Sequence, residues 1–214
     1  MPLLNISFSR LFAGALGALL LLVGLTVAVN YFGMFASLDN SILQFIYGAR
    51  GPMLTKVFLA LTFLGGAPVI LPITVLLAIV LFYKKEFAYF LLFMGTMFGG
   101  AAFAFLLKIL VHRARPSFFP LVSEDSFSFP SGHATLSIAF FGLIAYLATG
   151  AVKTRTARIN IFFIWLFLVF GIGLSRLYLG VHYPTDILAG YLTGFLWLCL
   201  GIGFFEQLGN KRFR

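Results

Sequence analysis

Leu11–Leu38 and Val57–Tyr83 contain no charged residue, and each is longer than the roughly 20 apolar residues a helix needs to cross a bilayer. Phe87–Leu107, Ala134–Val152, Ile159–Ser175 and Ile187–Phe205 are further uncharged runs, each about one span long. The expected fold is all-α and integral to the membrane, with six transmembrane helices in one bundle. Ser37–Leu54 interrupts the apolar pattern with Asp39, Asn40, Arg50, Gly51 and Pro52. It is expected to lie along the interface as a short amphipathic helix between the first two spans. The first run greatly exceeds the roughly 7–15 residues of a signal-peptide core, so it reads as a retained helix. Gly65-Gly66, followed by Pro68 and Pro72, predicts that the second span is bent or preceded by a short helix.

Only 10% of the residues are charged, against about 25% in soluble domains. Residues 1–214 are expected to form one membrane domain, with no room for a separate aqueous one. The net charge of +9 would favour nucleic acid in a soluble protein, but here the cations fall between apolar runs and no DNA- or RNA-binding motif accompanies them. Topology and anionic headgroups account for them better. Cys199 is the single cysteine, so no intrachain disulfide and no cysteine-based metal site is expected.

The cations also orient the chain. With six spans, one side carries Arg10, Lys84, Lys85, Lys153, Arg155, Arg158, Lys211, Arg212 and Arg214. The other carries Arg50, Lys56, Lys108, Arg113, Arg115 and Arg176, three of which belong to the polar clusters described next. The positive-inside rule then places both termini in the cytoplasm and the clusters on the outer face.

Three clusters sit at the ends of apolar runs. Lys108 and Arg115-Pro116 follow the third span, and both cations could reach one anion; a pair of snorkelling cations anchoring a helix is the competing reading. His112 and Arg113 between them read as ordinary interfacial residues. Pro130-Ser131-Gly132-His133 reads as a helix start with Ser131 as N-cap. Such an end presents free N–H groups to anions, and Gly132 allows close approach. The third cluster runs from Ser175-Arg176 to His182, Pro184 and Asp186. Pro184 fits a first helical position, which puts Asp186 in the first turn beside His182. A carboxylate there can hold one imidazole nitrogen and leave the other facing outward. Simple placement of an acid at a helix N-terminus would explain Asp186 equally well. Between the clusters, Phe118-Phe119-Pro120-Leu121-Val122 could dip into the interface, and Glu124 and Asp125 either repel unwanted anions from the site or, the favoured reading, solvate the loop.

In these motifs the chain resembles the type 2 phosphatidic acid phosphatase superfamily, which includes bacterial membrane lipid phosphatases. Its signature is Lys, six residues, Arg-Pro; Pro-Ser-Gly-His; and Ser-Arg, five residues, His, three residues, Asp. All three are present here at full spacing. The resemblance covers roughly residues 54–205, which would be the catalytic core. It implies that His182 attacks phosphorus and becomes phosphohistidine, that Asp186 orients it, and that His133 serves as general acid and then base. Lys108, Arg115, Arg176 and Ser131-Gly132 would hold the phosphoryl oxygens. No metal and no other cofactor is expected, because the cations supply the charge.

The expected partners are the bilayer and a lipid phosphate, with no nucleic acid and no obligatory protein. Undecaprenyl pyrophosphate and phosphatidylglycerophosphate lead, ahead of phosphatidic acid and lipid A phosphate. A lipid phosphotransferase using the same phosphohistidine is one alternative. A non-enzymatic lipid-phosphate binder or transporter is another, for which a damaged His133 or His182 would be expected; both histidines are present.

Overall fold

The computed structural model describes residues 7–117 and 119–211, and every regular element in them is a helix. Phe118 of the loop and Arg212 and Arg214 of the charge count lie outside these residues. The helices are α1 (Phe8–Asn30), α2 (Ala36–Gly48), α3 (Pro52–Leu64), α4 (Ala67–Tyr83), α5 (Phe87–Val111), α6 (Gly132–Ala151), α7 (Arg155–Tyr178) and α8 (Pro184–Lys211).

Six membrane-spanning segments result, because α3 and α4 together make one, Pro52–Tyr83. The break between them falls at Gly65-Gly66. A Cβ on Gly65 would stand 2.4 Å from Ile172, so glycine there lets α7 pack close. Pro68 then opens α4, where its missing N–H costs nothing. The first span is shorter than its uncharged run: α1 stops at Asn30 and the chain turns at Gly33, with φ +60°. Residues 36–38 belong to α2, which lies between the first two spans as expected but begins within the uncharged stretch. Absence of charge marks the interface poorly, because neutral residues such as Tyr31 and Phe32 suit headgroups as well as hydrocarbon.

Large apolar side chains cover the outside, among them Leu20, Leu21, Phe98, Phe105 and Phe167, each more than half exposed in the isolated chain. A soluble protein rarely shows so continuous an apolar surface; here lipid covers it. The interior is built around α8, which packs on α1, α5 and α6. Two glycines one turn apart bring α8 and α6 together. A Cβ on Gly190 would fall 2.5 Å from the Ser131 carbonyl, and one on Gly194 would fall 2.6 Å from that of Thr135. This close approach sets the start of α6, with His133, beside the start of α8, with Asp186.

Local signals fix the helix ends that carry polar residues. Ser131 caps α6 by accepting from the Ala134 N–H at 3.4 Å. Thr154 caps α7 in the same way from Ala157 at 3.2 Å. At α8, Pro184 takes the first position, and Asp186 accepts from the N–H of Tyr183 at 2.8 Å, which is the returning half of a capping box. The α5 helix ends on His112 in the left-handed region (φ 52°), whose N–H bonds Lys108 O. Gly180, at φ +79°, turns the chain between α7 and α8.

Candidate active site

The C-terminal ends of α5 and α7 and the N-terminal ends of α6 and α8 meet at one end of the bundle, against loop residues 113–115 and 124–128. His182 lies at the centre, only 1% exposed. Its Nε2 faces the Arg115 guanidinium at 3.2 Å. On its other edge, Nδ1 lies 3.5 Å from Asp186 Oδ2 and 3.4 Å from Ser128 Oγ. This geometry suits the tautomer protonated on Nδ1, with the Nε2 lone pair turned toward the cations. Burial pulls the pKa of His182 down to about 4, against the opposing pull of Asp186, so the imidazole is neutral at pH 7.

Asp186 is fully buried and its carboxylate is well satisfied. Oδ2 accepts from Ser128 Oγ at 2.5 Å and from the Tyr183 N–H at 2.8 Å. Oδ1 accepts from Arg113 at 2.6 Å. A buried charge is tolerable only with such partners.

Arg115 faces Nε2, and Lys108 and Arg176 gather around Arg115 through shared partners, the Phe127 carbonyl and Glu124. Arg115 is held by the Ser126 and Val181 carbonyls, each at 2.7 Å. Burial weakens its hold on its proton, yet a guanidinium stays charged in proteins. Lys108 donates to the Phe127 carbonyl. Arg176, 2% exposed, donates to Thr62 Oγ1 of α3 at 2.6 Å and pairs with Glu124. Its Nε is buried without a hydrogen-bond partner among the described residues. His133, in the first turn of α6, lies within electrostatic range of Arg176, His182, Arg115 and Lys108. The three sequence clusters therefore meet in space. At the start of α6, the Ser131 N–H donates to the Asp186 carbonyl at 3.0 Å, tying the second cluster to the third.

Some residues differ from their expected roles. Arg113, read as interfacial, bridges Asp186 to a buried Asp39 on α2, which it reaches at 2.8 Å. Glu124, read as solvated, sits among the cations: it pairs with Arg176 and lies 3.7 Å from Arg115. Ser128 was not singled out by any motif. Asp39 did carry a signal, since an acid on a membrane-edge helix needs a reason to be there. Among the described residues, no three His, Cys, Asp or Glu side chains gather in a group that could hold a metal ion.

A bundle of six spans with clustered cations at one end, beside a buried histidine–aspartate pair, suits a membrane enzyme acting on phosphate. The comparisons agree: the family model for the PAP2 superfamily matches residues 88–209, and this chain belongs to that superfamily, among its lipid phosphatases. It is 36% identical over 182 residues to phosphatidylglycerophosphatase B of Bacillus subtilis (strain 168), covering 83% of this chain and 87% of that protein. The crystal structure of the transmembrane PAP2-type phosphatidylglycerolphosphate phosphatase from Bacillus subtilis superimposes with a TM-score of 0.82 at 31% identity, covering 94% of this chain and 99% of the other. A lipid A 1-phosphatase of Rhizobium johnstonii is 39% identical over 113 residues, 48% of this chain and 42% of that protein.

Proposed function

We propose that this protein releases phosphate from a lipid phosphate or pyrophosphate on the outer face of the plasma membrane, through a phosphohistidine on His182 and without a metal. Phosphatidylglycerophosphate and undecaprenyl pyrophosphate are the leading substrates. The observation that carries the reading is the placement of His182: Nε2 toward Arg115 at 3.2 Å, with the Nδ1 edge against Asp186 and Ser128.

The chemistry follows from that geometry. The substrate phosphoryl group enters among Lys108, Arg115 and Arg176, displacing the Glu124 carboxylate. The Ser131 hydroxyl and the Gly132 N–H at the α6 start meet its oxygens, while the Ser131 N–H, expected to join them, is committed to the Asp186 carbonyl. The buried, unpaired Nε of Arg176 gains an acceptor. Cations positioned before the reaction stabilise charge on the transferring group without reorganising. His182 Nε2 then forms a bond to phosphorus as the bond to the leaving oxygen breaks. His133 gives that oxygen a proton. Asp186 stabilises the positive charge that the phosphorylated ring acquires. Water completes the cycle: His133 takes its proton, the oxygen bonds phosphorus, and the N–P bond breaks. Dividing one displacement into two lowers each barrier.

Two apolar clefts lie along helices that end at this centre, and they suit lipid chains better than a soluble ester. One, of about 430 Å³, lies between α1 and α5 and includes Leu107, Leu110 and Val111 at the end of α5. The other, of about 540 Å³, lies between α7 and α8 and includes Leu177 and Pro184, which neighbour Arg176 and His182. The catalytic unit runs over residues 54–205 of a single membrane domain. The outward orientation, with both termini cytoplasmic, rests on the distribution of Lys and Arg.

The test is phosphate release in detergent, with and without EDTA, from phosphatidylglycerophosphate, undecaprenyl pyrophosphate, phosphatidic acid and lipid A phosphate. Free phosphate in EDTA, abolished by His182→Ala, is the expected result. Reversible loss of activity in EDTA would contradict the cation-only site, and a phosphorylated lipid in place of free phosphate would mark a phosphotransferase.

A further inference from the structure

Behind Asp186 lies a charged relay that the phosphatase signature does not contain. Asp39, on α2, is 1% exposed and comes from a helix that crosses no membrane. Its Oδ1 accepts from the Thr185 N–H at 3.1 Å. Its Oδ2 accepts from Thr185 Oγ1 at 2.6 Å and from Arg113 at 2.8 Å. The other terminal nitrogen of Arg113 donates to Thr185 Oγ1 at 2.7 Å and to Asp186 Oδ1 at 2.6 Å. The guanidinium also lies over the Tyr183 ring, 4.3 Å from its centre. Leu43, one helical turn further along α2, is buried against Ala134, Leu177 and Ile187, which seats α2 on the ends of α6, α7 and α8.

We propose that Arg113 and Asp39 are positioning residues for the His182–Asp186 pair: Arg113 captures Asp186 Oδ1 so that Oδ2 meets the imidazole, and Asp39 holds and neutralises Arg113. The proposal rests on the phosphohistidine reading above. Its physical content is a charge balance. Asp39, Arg113 and Asp186 together present one net negative charge to His182. That is the charge needed to stabilise a phosphorylated, cationic ring. Without Asp39, Arg113 would cancel Asp186 and the imidazole would lose its counter-charge. Without Arg113, two buried carboxylates would face one another with only Thr185 between them, an arrangement that strongly raises one carboxyl's hold on a proton.

Other charges reach the same pair. Arg115 from the loop and Arg176 from α7 act on His182, Lys108 on α5 feels Asp186, and His133 on α6 feels His182. Ser128 and the Tyr183 N–H bond Asp186 directly. None of these changes in the variants that test the relay, so shifts between variants report on Asp39 and Arg113.

The experiment measures kcat, KM and the acid limb of kcat/KM against pH for Arg113→Gln, Asp39→Asn and the double variant, with His182→Ala as control. Arg113→Gln is expected to lower kcat about 100-fold with KM changed less than about 3-fold, and to move the acid limb to higher pH. Asp39→Asn is expected to lower kcat about 10-fold and to move the limb to lower pH by about half a unit or more. The double variant restores the net charge. It is expected to return the limb to its wild-type position and to recover activity relative to Arg113→Gln. A purely structural role would shift neither limb and would make the double variant worse than either single. The limb is read on the active fraction alone, so partial misfolding does not obscure it. If Arg113→Gln yields no active protein, Asp39→Asn against the double variant carries the same comparison. Unmoved limbs, or losses that multiply in the double variant, would overturn the relay. Activity in His182→Ala would instead overturn the phosphohistidine reading.

Discussion

The two ends of the helical bundle use cations in opposite ways. At one end, Lys84, Lys85, Lys153 and Arg155 are exposed, and the exposed Arg158 donates to the Val152 carbonyl. At the other, Arg113, Arg115 and Arg176 are each at most 16% exposed and are held by carboxylates, carbonyls and hydroxyls from distant segments. A count of Lys and Arg treats both ends alike. Physically they differ: a solvated cation sets orientation through its charge alone, whereas a buried cation with fixed partners is aimed at something. Arg176 is the clearest case, because one edge of its guanidinium is pinned to Thr62 while its buried Nε has no acceptor among the described residues.

The contrast can be tested by removing charge from each end. Arg176→Ala is expected to lower kcat/KM about 100- to 1000-fold, the scale for losing one preorganised oxyanion donor. Detergent assays on lipid vesicles or mixed micelles would measure it. An effect below about 5-fold would mean that the cradle is not where phosphate binds.

The buried end should also differ in its response to acid. The His182 pKa is depressed to about 4, so the imidazole stays neutral until the pH falls through that value. After correction for substrate ionisation, the His182 limb of kcat/KM is expected near pH 4. At pH 5 the corresponding loss should be under about 2-fold, where an ordinary histidine of pKa about 6.5 would give about 30-fold. A limb at 6.5 would show that His182 is solvated in the working enzyme.

Smaller effects follow for Glu124, which occupies the place proposed for the substrate's anion. Glu124→Gln removes a competing carboxylate from Arg176 and Arg115. It is expected to lower KM about 3- to 10-fold with little change in kcat. A raised KM would instead make Glu124 an organiser of the cradle. Neutralising the exposed end comes last: Lys84→Gln with Lys85→Gln should leave kcat/KM within about 2-fold, since solvated charges far from the site are screened.

Much of this molecule was legible in the sequence. The six spans, the interfacial helix, the break at Gly65-Gly66 and the helix starts at Ser131 and Pro184 all follow from local signals acting over a few residues. The three clusters announced themselves through their own spacing. The remainder depended on contacts between segments that no local pattern encodes. Asp39 meets Thr185 across 146 positions, and Arg113 meets Asp186 across 73. Glu124 looked like a loop residue because its partner Arg176 lies 52 positions away. The end of α1 is not legible for a different reason: the turn at Gly33 lies in an uncharged stretch, so charge gives no mark of where hydrocarbon stops.

The central claim is that His182 carries the phosphoryl group between the two half-reactions. It is tested most directly by acid-free quenching of the enzyme with substrate labelled in the scissile phosphate, followed by proteolysis and mapping of the bound label. The account predicts an acid-labile, base-stable label on the peptide containing His182, absent from His182→Ala and forming at least as fast as phosphate appears. Steady phosphate release with no label on the protein at any time point, or a label on another residue, would contradict it.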